Sequence, residues 1–141
     1  RQGYTSGYAM QWVGVPQKVE GSTIADSLLK FLLLNQVVPQ NYMQNATTTS
    51  QNINLAYGYL WWLNGKTSFH LPQTQYQFPG NLIVTAPADM YCALGKDDQK
   101  IYVIPSKKLV IIRMGEAADE SNAALSDFDE VLWEKINAVI N

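Results

Sequence analysis

The sequence predicts an α+β fold in which an antiparallel β-sheet packs against helices. Three strand-like apolar runs, at residues 90–94, 100–104 and 109–114, follow one another with connections of only a few residues. Such short connections require neighbouring strands to be antiparallel, because parallel strands need a long crossover. A stretch that begins at Ser126 then carries apolar side chains at the spacing of an amphipathic helix, which would pack on the sheet.

The composition indicates one compact domain and argues against several classes of protein. The chain has 141 residues, of which 47% are hydrophobic and 16% charged, enough for a core and unlike a disordered chain. Its net charge of −2 argues against a nucleic-acid partner, since phosphate binding needs a basic surface. No apolar run approaches the roughly 20 residues of a membrane-spanning helix. A single cysteine, Cys92, and a single histidine, His70, predict neither an internal disulfide nor a metal site.

The first part of the chain is predicted to be an irregular segment followed by a helix. Glycines and a proline interrupt residues 1–21, which leaves only a short extended piece at residues 10–13. Residues 23–35 carry apolar side chains at helical spacing, and Ser22 can accept a hydrogen bond from a free amide of the first turn.

The middle of the chain is predicted to contain a short helix, a strand and a long loop. Pro39 opens the helix, because a proline at the first helical position wastes no amide hydrogen, and the helix ends near Ala46. The aromatic run at residues 57–63 has the composition of a strand. A turn at residues 64–65 follows it, and residues 66–80, with two prolines and several glutamines, are predicted to be loop.

The sheet is predicted to be apolar on both faces. In the central run Ile101 and Val103 point to one face and Tyr102 and Ile104 to the other, so both faces must be covered. The C-terminal helix, capped by Ser126, can cover one of them. Its predicted stripe consists of Phe128, Val131, Leu132, Ile136, Val139 and Ile140.

Four stretches of the sequence, taken in order, carry a family pattern. They are residues 22–31 (STIADSLLKF), 57–62 (YGYLWW), 93–105 (ALGKDDQKIYVIP) and 109–113 (LVIIR). Together they resemble the C-terminal part of class C β-lactamases and their esterase, peptidase and amide-hydrolase relatives, a family of penicillin-recognising serine hydrolases. The resemblance covers the chain from about Ser22 to its end.

The resemblance implies a fold and an activity. It implies that residues 1–141 are a single partial domain, the sheet half of a β-lactamase-like (transpeptidase-like) fold. Enzymes of this family attack an amide or ester carbonyl with a serine, a lysine three residues on and a tyrosine act as bases, and the acyl-enzyme is then hydrolysed. No metal or organic cofactor takes part. The family is largely bacterial, and a periplasmic or secreted location is suspected.

The same resemblance places the catalytic serine and lysine outside this sequence. In the family both lie in the first half of the enzyme, so the chain is expected to be a C-terminal fragment that is inactive by itself. One literal Ser-x-x-Lys occurs, at Ser27 and Lys30. Ser27 falls where the family has an ordinary helix residue, so we expect it to be a solvent-side residue rather than a nucleophile.

One catalytic part of the family is expected within the chain. A backbone amide beside the strand that enters the 95–99 turn forms half of the oxyanion hole, which makes Gly95, Lys96 and Asp97 the candidates and Lys96 the first choice. The sequence departs from the family at Asp98, where a glycine is usual. This substitution brings a negative charge towards the carbonyl site, and the alternative interpretation is a polar turn whose charged side chains lie in water.

Further candidates are weighed against simpler interpretations. Tyr91, Trp62 and His70 are candidates for the wall of the substrate cleft, although a surface position is the default for His70. The aromatic residues of the run at 57–62 are expected in the core or the cleft wall rather than on a carbohydrate platform. Cys92 is predicted to be a packed core residue rather than the catalytic partner of His70.

The sequence also predicts a partner surface. In the family the first half of the enzyme covers the second sheet face, so this chain is expected to self-associate or to bind the complementary N-terminal half. The full enzyme would act on a small-molecule amide or ester. A non-catalytic binding or scaffold domain that keeps only the sheet half is the alternative function.

Overall fold

A computed structural model of the chain describes residues 8–13, 38–72, 74–118 and 124–140. These residues form seven strands and two helices: β1 (Tyr8–Val13), α1 (Gln40–Ala46), β2 (Trp62–Leu63), β3 (Ser68–His70), β4 (Gln77–Pro79), β5 (Tyr91–Leu94), β6 (Lys100–Ile104), β7 (Leu109–Gly115) and α2 (Asp127–Ile140). The helix predicted over residues 23–35, including Ser27 and Lys30, lies outside the described residues. In the described part of the chain, neither helix is long and apolar enough to cross a membrane.

Five strands form one antiparallel sheet in the order β1-β7-β6-β5-β2. β5, β6 and β7 are the three apolar runs found in the sequence, so the antiparallel α+β prediction is confirmed at this level. The outer strand β1 pairs with β7 from Tyr8, opposite Gly115, to Val13, opposite Val110. This strand is longer than the extended piece predicted at residues 10–13, because a neighbouring strand supplies hydrogen-bond partners that the local sequence does not reveal.

Helix α2 packs on one face of the sheet. The core there combines Tyr102, Ile104 and Ile111 of the sheet with Leu132, Trp133 and Ile136 of the helix. The rings of Tyr102 and Trp133 meet edge to face, with centroids 5.4 Å apart. The predicted stripe is wrong at two positions, since Val131 is 52% exposed and Val139 72% exposed. Asp129 and Trp133 are buried in their place, and the helix is therefore rotated relative to the prediction.

The start of α2 is capped in the reverse sense to the one predicted. The carboxylate of Asp129 accepts a hydrogen bond from the Ser126 backbone N–H at 3.0 Å. The Ser126 hydroxyl is buried and has no hydrogen-bond partner among the described residues. The sequence pattern of serine followed three residues later by an acid is that of a capping box, but only the acidic half of the box is made.

The opposite face of the sheet is covered along part of its length. A second cluster there joins Met43, Leu63, Tyr91, Val103, Val110 and Ile112, with Val38 and Trp61 packed against it. The chain from α1 to β2 thus covers the end of the sheet near the start of β5. The predicted division of Ile101 and Val103 from Tyr102 and Ile104 is confirmed, because the two pairs lie in different clusters.

The aromatic run at residues 57–63 forms a tight turn rather than the predicted strand. Tyr57 bridges Trp62, and the Gly58 N–H donates to the Trp61 carbonyl at 2.9 Å. Leu60 at the tip is left-handed, with φ 65°. A side chain at Gly58 would place its Cβ 2.0 Å from the Ala46 carbonyl oxygen, so this glycine allows the turn to approach α1. Only the last two residues of the run, Trp62–Leu63, pair in the sheet.

The segment predicted as loop at residues 66–80 contains a small hairpin of β3 and β4. Phe69 and Phe78 stack across it, with centroids 5.2 Å apart. The side chain of Asn54 donates to the His70 carbonyl at 3.1 Å and accepts from the His70 N–H at 3.2 Å. Prolines and glutamines concealed this hairpin, because Pro79 is tolerated only where a strand has a free edge.

Candidate functional site

The turn at residues 95–99 joins β5 to β6 at one end of the sheet. Asp97 and Asp98 are both left-handed, with φ 56°, and the Gln99 N–H donates to the Lys96 carbonyl at 3.2 Å. Two successive left-handed residues are the mark of a type I′ hairpin turn, in which glycine, asparagine and aspartate are the favoured residues. The departure from the family glycine at Asp98 therefore leaves the tight turn intact.

The three candidate amides of this turn are not equivalent. The Gly95 N–H donates to the Gln99 carbonyl at 2.8 Å, so it is already used. For the N–H groups of Lys96 and Asp97 the described residues supply no acceptor. Of the candidates drawn from the sequence, Lys96 and Asp97 remain available to bind a negatively charged oxygen.

An apolar groove of about 530 Å³ lies beside this turn. Among its lining residues, Ala93 of β5, Ile101 of β6, and Ile112 and Met114 of β7 place apolar side chains on this face. Leu94 also borders the groove, but it lies opposite Lys100 and its side chain packs towards α2. Lys100 and Arg113 also border the groove. Because side chains alternate along a strand, the charged groups of Lys100 and Arg113 point to the face opposite Ile101 and Ile112. The groove is therefore suited to an uncharged, apolar group.

A buried cluster of charges supports the turn from the other face. Lys100 Nζ lies 3.0 Å from Asp98 Oδ1 and 3.0 Å from Asp129 Oδ2. Tyr102 donates its hydroxyl to the second oxygen of Asp129, and Lys100 also donates to the Ala124 carbonyl. Lys100, Asp98 and Asp129 are each 1% exposed or less, so these charges depend on one another rather than on water.

Arg113 completes this cluster by binding backbone. Its Nη1 donates to the carbonyls of Asp97 and Asp98 at 2.8 and 2.9 Å. Its guanidinium carbon lies 5.1 Å from the centre of the Phe128 ring. Arg113 is 1% exposed, and it ties β7 and α2 to the turn.

The surroundings shift the ionisation of two cluster members. Burial would raise the pKa of Asp98, but the Ala118 N–H at 2.8 Å and the nearby Lys100 stabilise the carboxylate, so its pKa falls below the ordinary value. Burial and the adjacent Asp129 carboxylate raise the pKa of Tyr102 far above its ordinary value. Tyr102 therefore stays protonated and donates its hydrogen bond.

The three cleft-wall candidates do not line the groove. Tyr91 is buried in the second cluster, where its ring meets Trp61 edge to face, and burial raises the pKa of its hydroxyl. Trp62 lies opposite Cys92 in the register, so its side chain lies on the face covered by α2, whereas that of Tyr91 lies on the opposite face. His70 is half-buried in the β3–β4 hairpin, where Asn54 binds its backbone. The tertiary structure separates the three because they lie on different faces and sheets.

Cys92 is fully buried in the cluster beneath α2. Burial, reinforced by the charge of Asp129, raises the pKa of its thiol. The prediction that Cys92 is a packed core residue is confirmed.

Sequence reasoning missed the buried ionic cluster. The signal was present in the alternation along β6, since Lys100 points to the same face as Tyr102 and Ile104. Arg113 likewise points to the face of Ile111, and the register places it directly opposite Lys100. Two inward-pointing cations on neighbouring strands require carboxylates nearby, and Asp98 and Asp129 provide them.

The chain was compared with protein-family models, curated proteins and solved structures, and no match was found in any of the three. Among the described residues no three histidine, cysteine or acidic side chains are grouped so as to hold a metal ion.

Proposed function

We propose that this chain supplies the sheet half of a serine hydrolase that cleaves an amide or ester bond through an acyl-serine. The catalytic serine and its lysine base would come from polypeptide outside this chain. The N–H groups of Lys96 and Asp97 would donate to the carbonyl oxygen as it becomes negative. The reaction needs no metal or organic cofactor, because the serine is the nucleophile and protein side chains carry the protons.

The observation that carries the proposal is a pair of amides for which the described residues supply no acceptor, on a hydrogen-bonded turn beside an apolar groove. Backbone donors held where charge develops stabilise the transition state, and removing one such donor typically costs about 3–4 kcal/mol. The turn that carries Lys96 and Asp97 is closed by two backbone hydrogen bonds, at 2.8 and 3.2 Å. The groove next to them can accept an apolar part of the substrate, which leaves the turn to bind the carbonyl.

The bonding of the described serines fits a nucleophile that lies elsewhere. Ser50 and Ser106 donate their hydroxyls to Tyr57 and Asp89, and Ser68 accepts a hydrogen bond from Gln77. The Ser126 hydroxyl is buried at the start of α2.

A binding or scaffold domain without catalytic activity is the second candidate. It is favoured by the groove itself, because its lining is apolar and would suit a protein side chain as well as a substrate. In this case the groove would receive the complementary half of a larger protein or a second copy of the chain, and the amides of the turn would have no catalytic role.

The experiment that tests the hydrolase begins with the reading frame upstream of Arg1. In the family that the sequence resembles, a Tyr-x-Asn element also lies in the first half of the enzyme. A Ser-x-x-Lys followed by Tyr-x-Asn in that frame would therefore supply the catalytic residues that this chain does not contain. The extended protein is then assayed with a chromogenic cephalosporin and a nitrophenyl ester. We expect turnover that is lost when the serine of the upstream Ser-x-x-Lys is replaced by alanine. We also expect none from the 141-residue chain alone.

Lys96→Pro and Lys96→Ala separate the amide from the side chain. Proline removes the Lys96 N–H, and it fits there because Gly95 is extended, with φ −110° and ψ 168°. We expect Lys96→Pro to lower kcat by about 10²–10³ and Lys96→Ala to retain it. Equal kcat values in the two variants would show that the Lys96 N–H does not contribute to catalysis. An upstream frame without the serine–lysine pair would favour the scaffold.

A further inference from the structure

The two left-handed residues of the 95–99 turn share a backbone conformation but have different surroundings. Asp97 and Asp98 have the same φ of 56°. Asp98 is 1% exposed and paired with Lys100, whereas Asp97 is half-buried and its carboxylate has no hydrogen bond or ion pair among the described residues. A comparison of the two positions therefore distinguishes two possible causes of the turn's geometry: the preference of aspartate for a left-handed backbone, and the buried ion pair.

Asp98 is fixed from three directions. Its carboxylate lies 3.0 Å from Lys100 Nζ and accepts a hydrogen bond from the Ala118 N–H at 2.8 Å. Its carbonyl accepts from Arg113 at 2.9 Å. These partners belong to β6, to the segment after β7 and to β7, so Asp98 cannot rotate without breaking contacts to all three.

The same lysine connects the turn to α2. Lys100 Nζ donates to Asp129 at 3.0 Å, and Asp129 also accepts from the Tyr102 hydroxyl and the Ser126 N–H. Lys100 and Arg113 carry two positive charges against the two carboxylates of Asp98 and Asp129. Loss of one carboxylate therefore leaves this buried cluster with a net positive charge, which is strongly unfavourable.

We propose that Asp98 is a positioning residue, whose buried ion pair with Lys100 holds the amides of Lys96 and Asp97 in place and links them to α2 through Asp129. The left-handed tolerance of aspartate does not distinguish the two positions, since Asp97 has the same tolerance although its carboxylate has no partner among the described residues. The catalytic consequence rests on the proposed function. The geometric consequence does not.

Hydrogen exchange of the Gln99 N–H measures the geometry directly. This amide closes the turn by donating to the Lys96 carbonyl, so its exchange rate reports opening of the turn. We expect Asp98→Asn and Asp98→Gly to accelerate its exchange about tenfold relative to Val103 in the core of β6. Asp97→Asn and Asp97→Gly are the matched controls and should leave the ratio unchanged. Asp129→Asn should accelerate it as well, through Lys100.

Two results would overturn the proposal. If Asp98→Gly keeps the wild-type exchange ratio, freedom to adopt a left-handed backbone is sufficient and the ion pair does not position the turn. If Asp97→Gly opens the turn as much as Asp98→Gly, the buried charge has no special part. Should Asp98→Gly fail to fold, the nearly isosteric Asp98→Asn carries the same comparison.

The catalytic consequence is measured in the extended protein. There Asp98→Asn should lower kcat about tenfold with KM unchanged, since it disturbs donors used in the transition state. Altered exchange in a protein that never turns over substrate would refute the hydrolase and retain the positioning role. Full turnover with altered exchange would show that the turn does not serve catalysis. Normal exchange and normal turnover would refute the positioning role alone.

Discussion

Buried charged residues determine the local structure around the 95–99 turn. Lys100 and Arg113 face each other across β6 and β7, and both are 1% exposed. Two cations at this spacing would repel each other, but Asp98 and Asp129 balance their charge, and backbone carbonyls accept hydrogen bonds from Nη1 of Arg113. Such a cluster is costly if any member is removed, which is the basis for the proposed positioning of the turn by Asp98.

Two carboxylates make the stability of the protein depend on acidic pH. Burial would raise the pKa of Asp98 and Glu130, but hydrogen bonds lower both below their ordinary values; Glu130 accepts them from the hydroxyl and N–H of Thr85 and the N–H of Val84. A depressed native pKa stabilises the fold above the unfolded values of about 3.9 for Asp and 4.3 for Glu. That stability is lost as the pH falls through the native pKa.

We therefore expect the urea concentration at the midpoint of unfolding to be independent of pH near neutrality and to decrease below about pH 4. Urea unfolding at a series of pH values measures it. Glu130→Gln should flatten the decrease, whereas Glu134→Gln, an exposed position on the same helix, should not. A midpoint independent of pH between neutrality and pH 3 would show that these carboxylates do not have depressed pKa values.

At the scale of elements, the register of α2 follows from its largest and its charged inward residues. Trp133 fills the space beside Tyr102, and Asp129 reaches Lys100. These two residues are four apart and define the buried face, so Val131 turns outwards although its side chain is apolar. A hydrophobic stripe predicted from the sequence gives equal weight to every apolar residue, so it does not reveal that Asp129 and Trp133, rather than Val131, face the sheet.

Leu132→Ala and Val131→Ala test the register of α2. Leu132 is 5% exposed and Val131 52% exposed. We expect Leu132→Ala to reduce the free energy of unfolding by about 2–5 kcal/mol, because it leaves a cavity under the helix. The adjacent Val131→Ala should change it by less than about 0.5 kcal/mol. Denaturant unfolding measures both, and equal losses would place the sequence-predicted stripe, rather than the observed one, against the sheet.

At the scale of the whole molecule, the two sheet faces are covered unequally by the described residues. Helix α2 covers one face, where it packs against Tyr102 of β6 and Ile111 of β7. On the other face the second cluster ends near Ile112, and the groove opens beyond it, with Met114 62% exposed. Apolar surface of this kind favours association with another polypeptide.

We expect the isolated chain to self-associate at micromolar concentrations through this groove. Met114→Lys places a charge on the rim and should shift the mass measured by light scattering towards the monomer. Val139→Lys is the matched control, because Val139 is 72% exposed on α2, the element that packs on the opposite face. A strictly monomeric wild type with cooperative unfolding would contradict the expectation and would also weaken the view of the chain as half of an enzyme.

Local sequence determined the elements whose signals are local. Alternating apolar runs with short connections gave β5, β6 and β7 almost to the residue, and α2 followed from its helical spacing. The position of the 95–99 turn followed from the same short connections, whereas its candidate amides, those of Gly95, Lys96 and Asp97, came from the family resemblance. The strand prediction for residues 57–63 was wrong because the strand propensity of aromatic residues reflects their packing against neighbours more than a preference of the backbone itself.

The sequence by itself determined the α+β class, the antiparallel order of three strands and the position of the turn, since neighbouring residues are sufficient to specify these features. Only the tertiary structure decided that the Gly95 amide is used, whereas those of Lys96 and Asp97 have no acceptor among the described residues. It also decided that Asp98 and Asp129 share Lys100. The physical reason is that hydrogen bonds and ion pairs join residues distant in sequence, and burial determines which of them lose water and must find a partner.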